Sequence, residues 1–365
     1  MKRLNLTLII WLILNAAWAY AASSALPAKP PAIPDLEPIT QNDRILILAP
    51  HPDDEAIACA GLIQNAVAAG AQVHVVYLTN GDSNQLAFII YEKRLTFRKG
   101  EFIHMGEVRR AEAVKAMQSL GLKESDLTFL GYPDFGSFAI FTSHWQGAKP
   151  FKSLLTRVTS VPYKTNLSFG APYKGESVLK DLESLIRKYQ PSKIFVSHPA
   201  DTNADHKALY LFLQVALSDL SGKFPEPKVY PYLVHCVKWP SPRRYHPELW
   251  LSPPEQLMDS QVKWFRYILS RQQLDKKHKT ILLYKSQTES SAFYLLAFAR
   301  GNELFGDYPS VELKLPDVTS GAGAVNKPPP FLGLSNIYRD AEVSSLANLD
   351  RIIAASGSVS YALEN

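Results

Sequence analysis

Five consecutive apolar residues, Ile45-Leu46-Ile47-Leu48-Ala49, run without a break into Pro50-His51-Pro52-Asp53-Asp54-Glu55. A strand with one wet face alternates apolar and polar residues, so an unbroken apolar run this short reads as a strand buried on both faces. Such strands belong to parallel sheets covered by helices. The next segments agree. Glu55 to Ala69 is rich in Ala and closed by Gly70, the signature of a helix and its stop. Val73 to Leu78 is a second strand ending at the Asn80-Gly81-Asp82 turn. Glu107 to Leu120 reads as a helix stopped by Gly121, Leu127 to Leu130 as a strand, Val178 to Gln190 as an amphipathic helix ended by Pro191, Lys193 to Ser197 as a strand and His206 to Ser218 as a helix. This alternation predicts an α/β fold: a three-layer Rossmann-like domain with a mostly parallel sheet and helices on both faces. Ligands of such sheets sit beyond the carboxyl ends of the strands.

The ends of the chain read differently. Lys2 and Arg3 precede an apolar stretch from Leu4 to Ala22, in which Ala17-Trp18-Ala19 and Ala19-Tyr20-Ala21 fit a small-x-small cleavage pattern. Residues 1–22 are therefore expected to be a secretory signal peptide. A retained anchor is the alternative, because the run approaches the length of a membrane span. With the signal removed, the body lies outside the cytoplasm, periplasmic or secreted, with no stable membrane insertion. Residues 23–43 form a lead-in whose five prolines, from Pro27 to Pro38, preclude regular helix. The domain is expected over 44–316, and 317–365 form an extension to which the sequence assigns no role. The net charge of +5 on 365 residues comes without a long Lys/Arg block, so no nucleic-acid partner is expected. Oligomeric state is not legible. The two cysteines, Cys59 and Cys236, lie in apolar surroundings and read as buried thiols.

The chemistry concentrates at two strand ends. The first strand delivers His51, Asp53 and Asp54 together. Zinc accepts imidazole nitrogen and carboxylate oxygen, and a catalytic zinc site takes about three protein ligands plus an open position. His51 and Asp54 supply two. The third has to come from another strand end, and His198-Pro199-Ala200-Asp201-Thr202-Asn203-Ala204-Asp205-His206 follows the fourth strand. His206 is the ligand expected there. Acidic residues at a strand-to-helix turn also favour the helix N-terminus without any metal, but a second such motif after another strand outweighs that reading.

Taken together, Ala49-Pro50-His51-Pro52-Asp53-Asp54-Glu55, Arg109-x-x-Glu112 with Leu120-Gly121, Leu130-Gly131-Tyr132-Pro133-Asp134 and Asp201-x-x-x-Asp205-His206 resemble the PIG-L/LmbE-like N-acetylglucosaminyl deacetylases over roughly residues 44–300. The resemblance implies that His51, Asp54 and His206 bind Zn2+ and that Asp53 is the general base. It places Arg109 and Asp134 near the substrate. It also implies a zinc-dependent N-deacetylase that removes an acyl group, acetyl above all, from an amino-sugar or glycoconjugate substrate.

One departure stands out. Many family members carry His-Pro-Asp-His where this chain has Asn203-Ala204-Asp205-His206. Asn203 can donate a hydrogen bond to substrate but not a proton at neutral pH. His235, in a run that reads as a further strand, either replaces the missing imidazole in catalysis or is a packed core histidine. His198 reads as structural, and Tyr284, where an imidazole sometimes occurs, takes no catalytic role. Phe135, Phe138, Phe141, Trp145 and Tyr163 lie in a long irregular segment over 135–177 and either stack on sugar rings or pack locally, the second reading being the stronger for most. The competing class is a metal-containing carbohydrate-binding protein with lost or weak catalysis. Asn203 leaves room for it, and Asp53 argues against it, because a binder needs no base beside its metal. Neither a Gly-x-Gly-x-x-Gly after the first strand nor a Gly-x-Ser-x-Gly elbow is present, which disfavours dinucleotide enzymes and serine hydrolases.

Overall fold

The structure, a computed structural model, describes residues 32–93, 100–258 and 262–307, without the side chains of 85–87. The expected signal peptide and the C-terminal extension lie outside the described residues. The elements run β1 (Arg44–Ala49), α1 (Asp54–Ala69), β2 (Gln72–Thr79), α2 (Gln85–Glu92), α3 (Glu101–Leu120), β3 (Leu127–Tyr132), α4 (Ser137–Ser143), α5 (Gly175–Tyr189), β4 (Lys193–Ser197), α6 (Ala204–Asp219), β5 (Lys228–Tyr232), α7 (Glu255–Met258), β6 (Lys263–Ile268), α8 (Arg271–Ile281), α9 (Lys285–Leu295) and β7 (Asn302–Asp307).

The seven strands form one sheet in the order β3-β2-β1-β4-β5-β7-β6. The first five run parallel to one another, and β7 pairs antiparallel with both β5 and β6. The fold is the expected α/β sandwich with a mostly parallel sheet, extended by an antiparallel edge. From β1 the chain winds one way to β2 and β3, then crosses back to β4 and β5. Right-handed crossovers in opposite directions put their helices on opposite faces. Accordingly α1, α3 and α8 pack together as one layer, and α4, α5 and α6 as the other. The reversal lies between β1 and β4, so their carboxyl ends flank the switch-point crevice.

Local sequence explains these elements. Leu46, Ile47, Leu48 and Ala49 in β1 are fully buried. Helix α1 is buried nearly all round, which is why Ala, Gly and Cys fill it, and Gly70 ends it at φ 75°, a left-handed position glycine adopts without steric cost. Helix α5 shows the usual one-sided pattern, with Val178, Leu182, Leu185 and Ile186 inward. The Pro-rich lead-in docks on the sheet: Leu36 N donates to Arg266 O at 2.8 Å and Arg266 N to Pro34 O at 2.9 Å. It thereby covers part of the exposed β6 edge, a common way to shield unpaired backbone groups.

Three expectations need correction. The run around His235 is not a strand: β5 ends at Tyr232. Asp201 takes the N–H groups of Val234 and His235 at 3.0 and 2.8 Å in place of a ladder. Cys236 is half-buried, whereas Cys59 is buried, and both thiols are free. The segment 135–177 contains helix α4, whose Phe141 packs edge-on against Phe212 with ring centroids 4.9 Å apart. Phe141 and Tyr163 are buried, so their rings serve packing. The other expected elements differ only at their ends, most at α3, which begins at Glu101, whereas α2, α7, α8, α9, β6 and β7 were not expected from the sequence.

Candidate active site

The β1–α1 turn carries the centre of the site. Asp53 is the N-cap of α1 and has φ 123°, a left-handed conformation rare for a residue with a side chain. Its side chain makes no capping bond to the helix. The backbone is held instead: Asp53 N donates to Glu55 Oε2 at 3.1 Å, and the Asp53 carbonyl accepts from Ala56 and Ile57. Behind it, Tyr284 OH donates to Glu55 Oε1. Tyr284 is thus fully buried in a supporting bond. Asp54 and Glu55 in the first turn also sit favourably at the positive end of the helix.

The three expected ligands converge. Asp54 Oδ2 lies 3.3 Å from His51 Nδ1 and 3.2 Å from His206 Nε2. The donor atoms of His51, Asp54 and His206 all fall within 4.8 Å of one another. Tetrahedral coordination with bonds of about 2.0–2.2 Å puts ligand atoms roughly 3.3–3.6 Å apart. Both ring nitrogens of His206 are shut off from solvent and form no well-aligned hydrogen bond. A divalent metal fits this donor set.

The far sides of both imidazoles face carboxylates. His51 Nε2 is 3.1 Å from Asp134 Oδ1 and 3.3 Å from Asp205 Oδ2. His206 Nδ1 is 3.2 Å from Asp201 Oδ2. These carboxylates are fixed by backbone donors in turn. Asp134 accepts from Ser83 N, Asp205 from Phe135 N and Ser137 N, and Asp201 from Asn203 N, Val234 N and His235 N. That is how carboxylates behind metal-binding histidines fix tautomer and ring orientation.

The electrostatics follow. Burial works to lower the pKa of both imidazoles, but the surrounding carboxylates outweigh it and hold His51 well above its ordinary value and His206 at about 9. Burial likewise opposes ionisation of Asp54, and the two histidines overcome it, holding its carboxyl well below the usual range. The cage therefore favours positive charge inside it, whether protons or a cation. Asp53 goes the other way: burial pushes it up to about 8, the Arg109 guanidinium opposes this, and Asp54 and Glu55 reinforce it. A cation among the ligands shifts such a carboxyl back toward its charged form.

Arg109 is buried and committed. Its Nη1 donates to Gly81 O at 2.9 Å, its Nη2 to Pro52 O at 2.7 Å, and the same Nη2 lies 3.3 Å from Asp53 Oδ2. It ties the β2 end to the β1 end and steadies Asp53. Asn203 caps α6: its Oδ1 accepts from Asp205 N at 2.8 Å, leaving its amide group to reach the cleft. His235 is one-third exposed, and its Nδ1 stands 3.1 Å from Asp201 Oδ1. Its ring meets that of His206 edge-on at 4.6 Å.

A solvent-open cleft joins these parts. His51, Asp53, Asp54, Arg109, Asp134, Asn203 and His235 line it, with Phe135, Gln287 and Tyr294 among the other walls. All the expected site residues except His206 reach its surface, and His206 lies buried directly behind Asp54. Asp201 and Asp205 stood in the sequence motif without a role, and the structure places them behind the two histidines. His198 is buried, with its Nδ1 accepting from Ala200 N and its ring stacked on Trp264.

Over residues 46–217 the sequence matches the family described as PIG-L: GlcNAc-PI de-N-acetylase. The stretch holds both strand-end motifs; His235, Gln287 and Tyr294 of the cleft lie beyond it. Two relatives, from Mycolicibacterium smegmatis and Kribbella flavida, bear the name 1D-myo-inositol 2-acetamido-2-deoxy-alpha-D-glucopyranoside deacetylase. The first is 36% identical over 23% of this chain and only 28% of its own length. The second is 25% identical over 72% of this chain and 89% of its own length. Among solved structures, N,N'-diacetylchitobiose deacetylase from Pyrococcus horikoshii aligns over 67% of this chain and 70% of its own, with 19% identity and a TM-score of 0.39.

Proposed function

We propose that the chain is a zinc-dependent hydrolase that removes an N-acyl group, acetyl in the first instance, from an amino-sugar substrate. The observation that carries this reading is the meeting of His51, Asp54 and His206 around one point, with the Asp53 carboxylate beside them in the cleft. The PIG-L match and the names of the two relatives support the choice of an N-acetyl amino sugar.

A metal held by the three ligands would polarise the amide carbonyl and make a neighbouring water more acidic. Asp53 then takes the proton of the attacking water, a role for which a side chain not spent on capping the helix and the flanking Arg109 suit it. The leaving amine needs a proton. His235 is placed to supply it from Nε2, because Asp201 engages its Nδ1. Asn203 offers its amide group to the substrate oxygen while its own oxygen caps α6.

The test is amine release. Purified protein loaded with zinc is incubated with N-acetylglucosamine and N-acetylated disaccharides, with and without a chelator. Free amine that disappears on chelation and returns with zinc is expected. Stoichiometric metal binding with no amine from any of these sugars would overturn the reading in favour of a binding protein. The location outside the cytoplasm, proposed from the Leu4–Ala22 run, is checked by fractionation and N-terminal sequencing. A cytoplasmic chain with an intact N-terminus would refute it.

A further inference from the structure

Eight non-glycine residues among those described have positive φ, and two of them, Asp53 and Phe135, line the cleft. Asp53 belongs to the machinery above. Phe135, at φ 56°, does not, and it is the one aromatic residue in that group. A bulky side chain in the left-handed region is uncommon and strained. The neighbouring position is Gly136, where an added Cβ would fall 2.6 Å from Phe151 and 2.8 Å from Pro133. The chain thus spends its glycine on close packing at 136 and leaves the strained position to phenylalanine. Burial does not account for that choice, because Phe135 is 64% exposed. Its backbone is held by Asp205, which accepts from Phe135 N at 2.6 Å and Ser137 N at 2.9 Å. The ring therefore stands at the cleft from an anchored backbone.

We infer that Phe135 is a stacking platform for the pyranose ring that bears the reacting amide, an assignment that rests on the amino-sugar reading above. The chemistry of its surroundings selects the ligand. An aromatic face accepts the apolar C–H face of a sugar, while polar side chains read the hydroxyl rim. Phe135 shares the cleft with Asp134, Asn203 and His235. An alkyl amide would use the ring but leave those polar groups unmatched.

The experiment compares full-length zinc-loaded wild type with Phe135→Ala, Phe135→Gly and Phe135→Tyr. Affinity for N-acetylglucosamine is read by NMR titration, and KM from amine release. N-acetylethanolamine, which has the amide and no ring, is the second probe. Ala and Gly should weaken sugar binding and raise its KM by about 3- to 10-fold, Tyr should restore both, and the ringless probe should not respond. Phe135→Gly should also melt higher than wild type, since glycine adopts this backbone without strain. Unchanged sugar affinity in both Ala and Gly would overturn the assignment, as would an equal loss for the ringless probe. Amine release from neither probe by wild type would instead count against the deacylase reading, and the NMR comparison would still decide the role of Phe135.

Discussion

Asp201 Oδ2 stands 3.2 Å from His206 Nδ1, on the ring nitrogen that Asp54 leaves free. The same carboxylate holds His235 Nδ1 through Oδ1 at 3.1 Å and accepts three backbone N–H groups. One buried side chain thus orients an expected metal ligand, the expected proton donor and the backbone at Asn203, Val234 and His235. Asp201→Asn replaces one acceptor oxygen with an N–H donor and removes the charge. Metal affinity should fall about 10- to 100-fold, as when groups behind metal-bound histidines are lost. Zinc titration against a competing chelator measures this, with circular dichroism to confirm folding. Unaltered affinity in a folded variant would reject the orienting role.

Asp53→Asn separates the base from the ligands. The amide is nearly isosteric and leaves His51, Asp54 and His206 in place, but it cannot take a proton from water. Zinc content should stay near that of wild type while turnover drops about 10²- to 10⁴-fold. Near-normal turnover with zinc bound would show that Asp53 is not the base. His235→Gln then becomes the informative comparison.

The parts of this molecule that were legible are those written locally. The apolar runs of β1 and β4 announce a parallel sheet, and the polar residues that follow them leave its carboxyl edge. The N-cap role of Asn203 was passed over because the helix was read from His206; it begins at Ala204, directly after Asn203, whose side-chain oxygen caps it. What was hidden depends on partners far apart in sequence. Nothing around Asp205 shows that it receives the N–H groups of Phe135 and Ser137. Nothing in the Arg109 motif shows that its guanidinium is occupied by the carbonyls of Pro52 and Gly81. Strand β7 escaped notice because Glu303 lies within it, fully buried, where an apolar residue is the usual signal.

Glu303 motivates a stability prediction. It pairs with Lys277 at 2.8 Å, both side chains are essentially inaccessible, and it also accepts from Gly61 N and Leu62 N of α1. The pair joins α8 and β7 to the helix that begins at the metal motif. Removing one member of a buried pair strands the other charge, so Lys277→Met should destabilise the fold by about 3–5 kcal/mol. Adding Glu303→Gln should recover part of the loss, since the stranded charge is then gone. Denaturant titration of the single and double variants measures the coupling. Additive losses would mean that the pair acts as two independent residues.

His74 provides a pH test away from the cleft. It lies in β2, its Nε2 is 2.8 Å from Thr128 Oγ1, and its ring stacks on Tyr189 at 3.9 Å. Burial, reinforced by Lys188 and opposed by Asp126, lowers its pKa to about 4. The unfolded imidazole titrates near 6.5, so between these values the unfolded chain binds the proton and the folded one resists it. The contribution is fully present above pH 6.5 and is lost as pH falls toward 4. At about 1.4 kcal/mol per pKa unit, wild type should lose on the order of 2 kcal/mol from this site by pH 5. His198, also lowered to about 4 by burial, adds a loss of the same sign. His74→Gln keeps a polar group near Thr128 and cannot titrate. Its stability should therefore fall less than that of wild type between pH 7 and pH 5 in urea unfolding. Equal falls in the two proteins would show that His74 is not kept neutral by the fold.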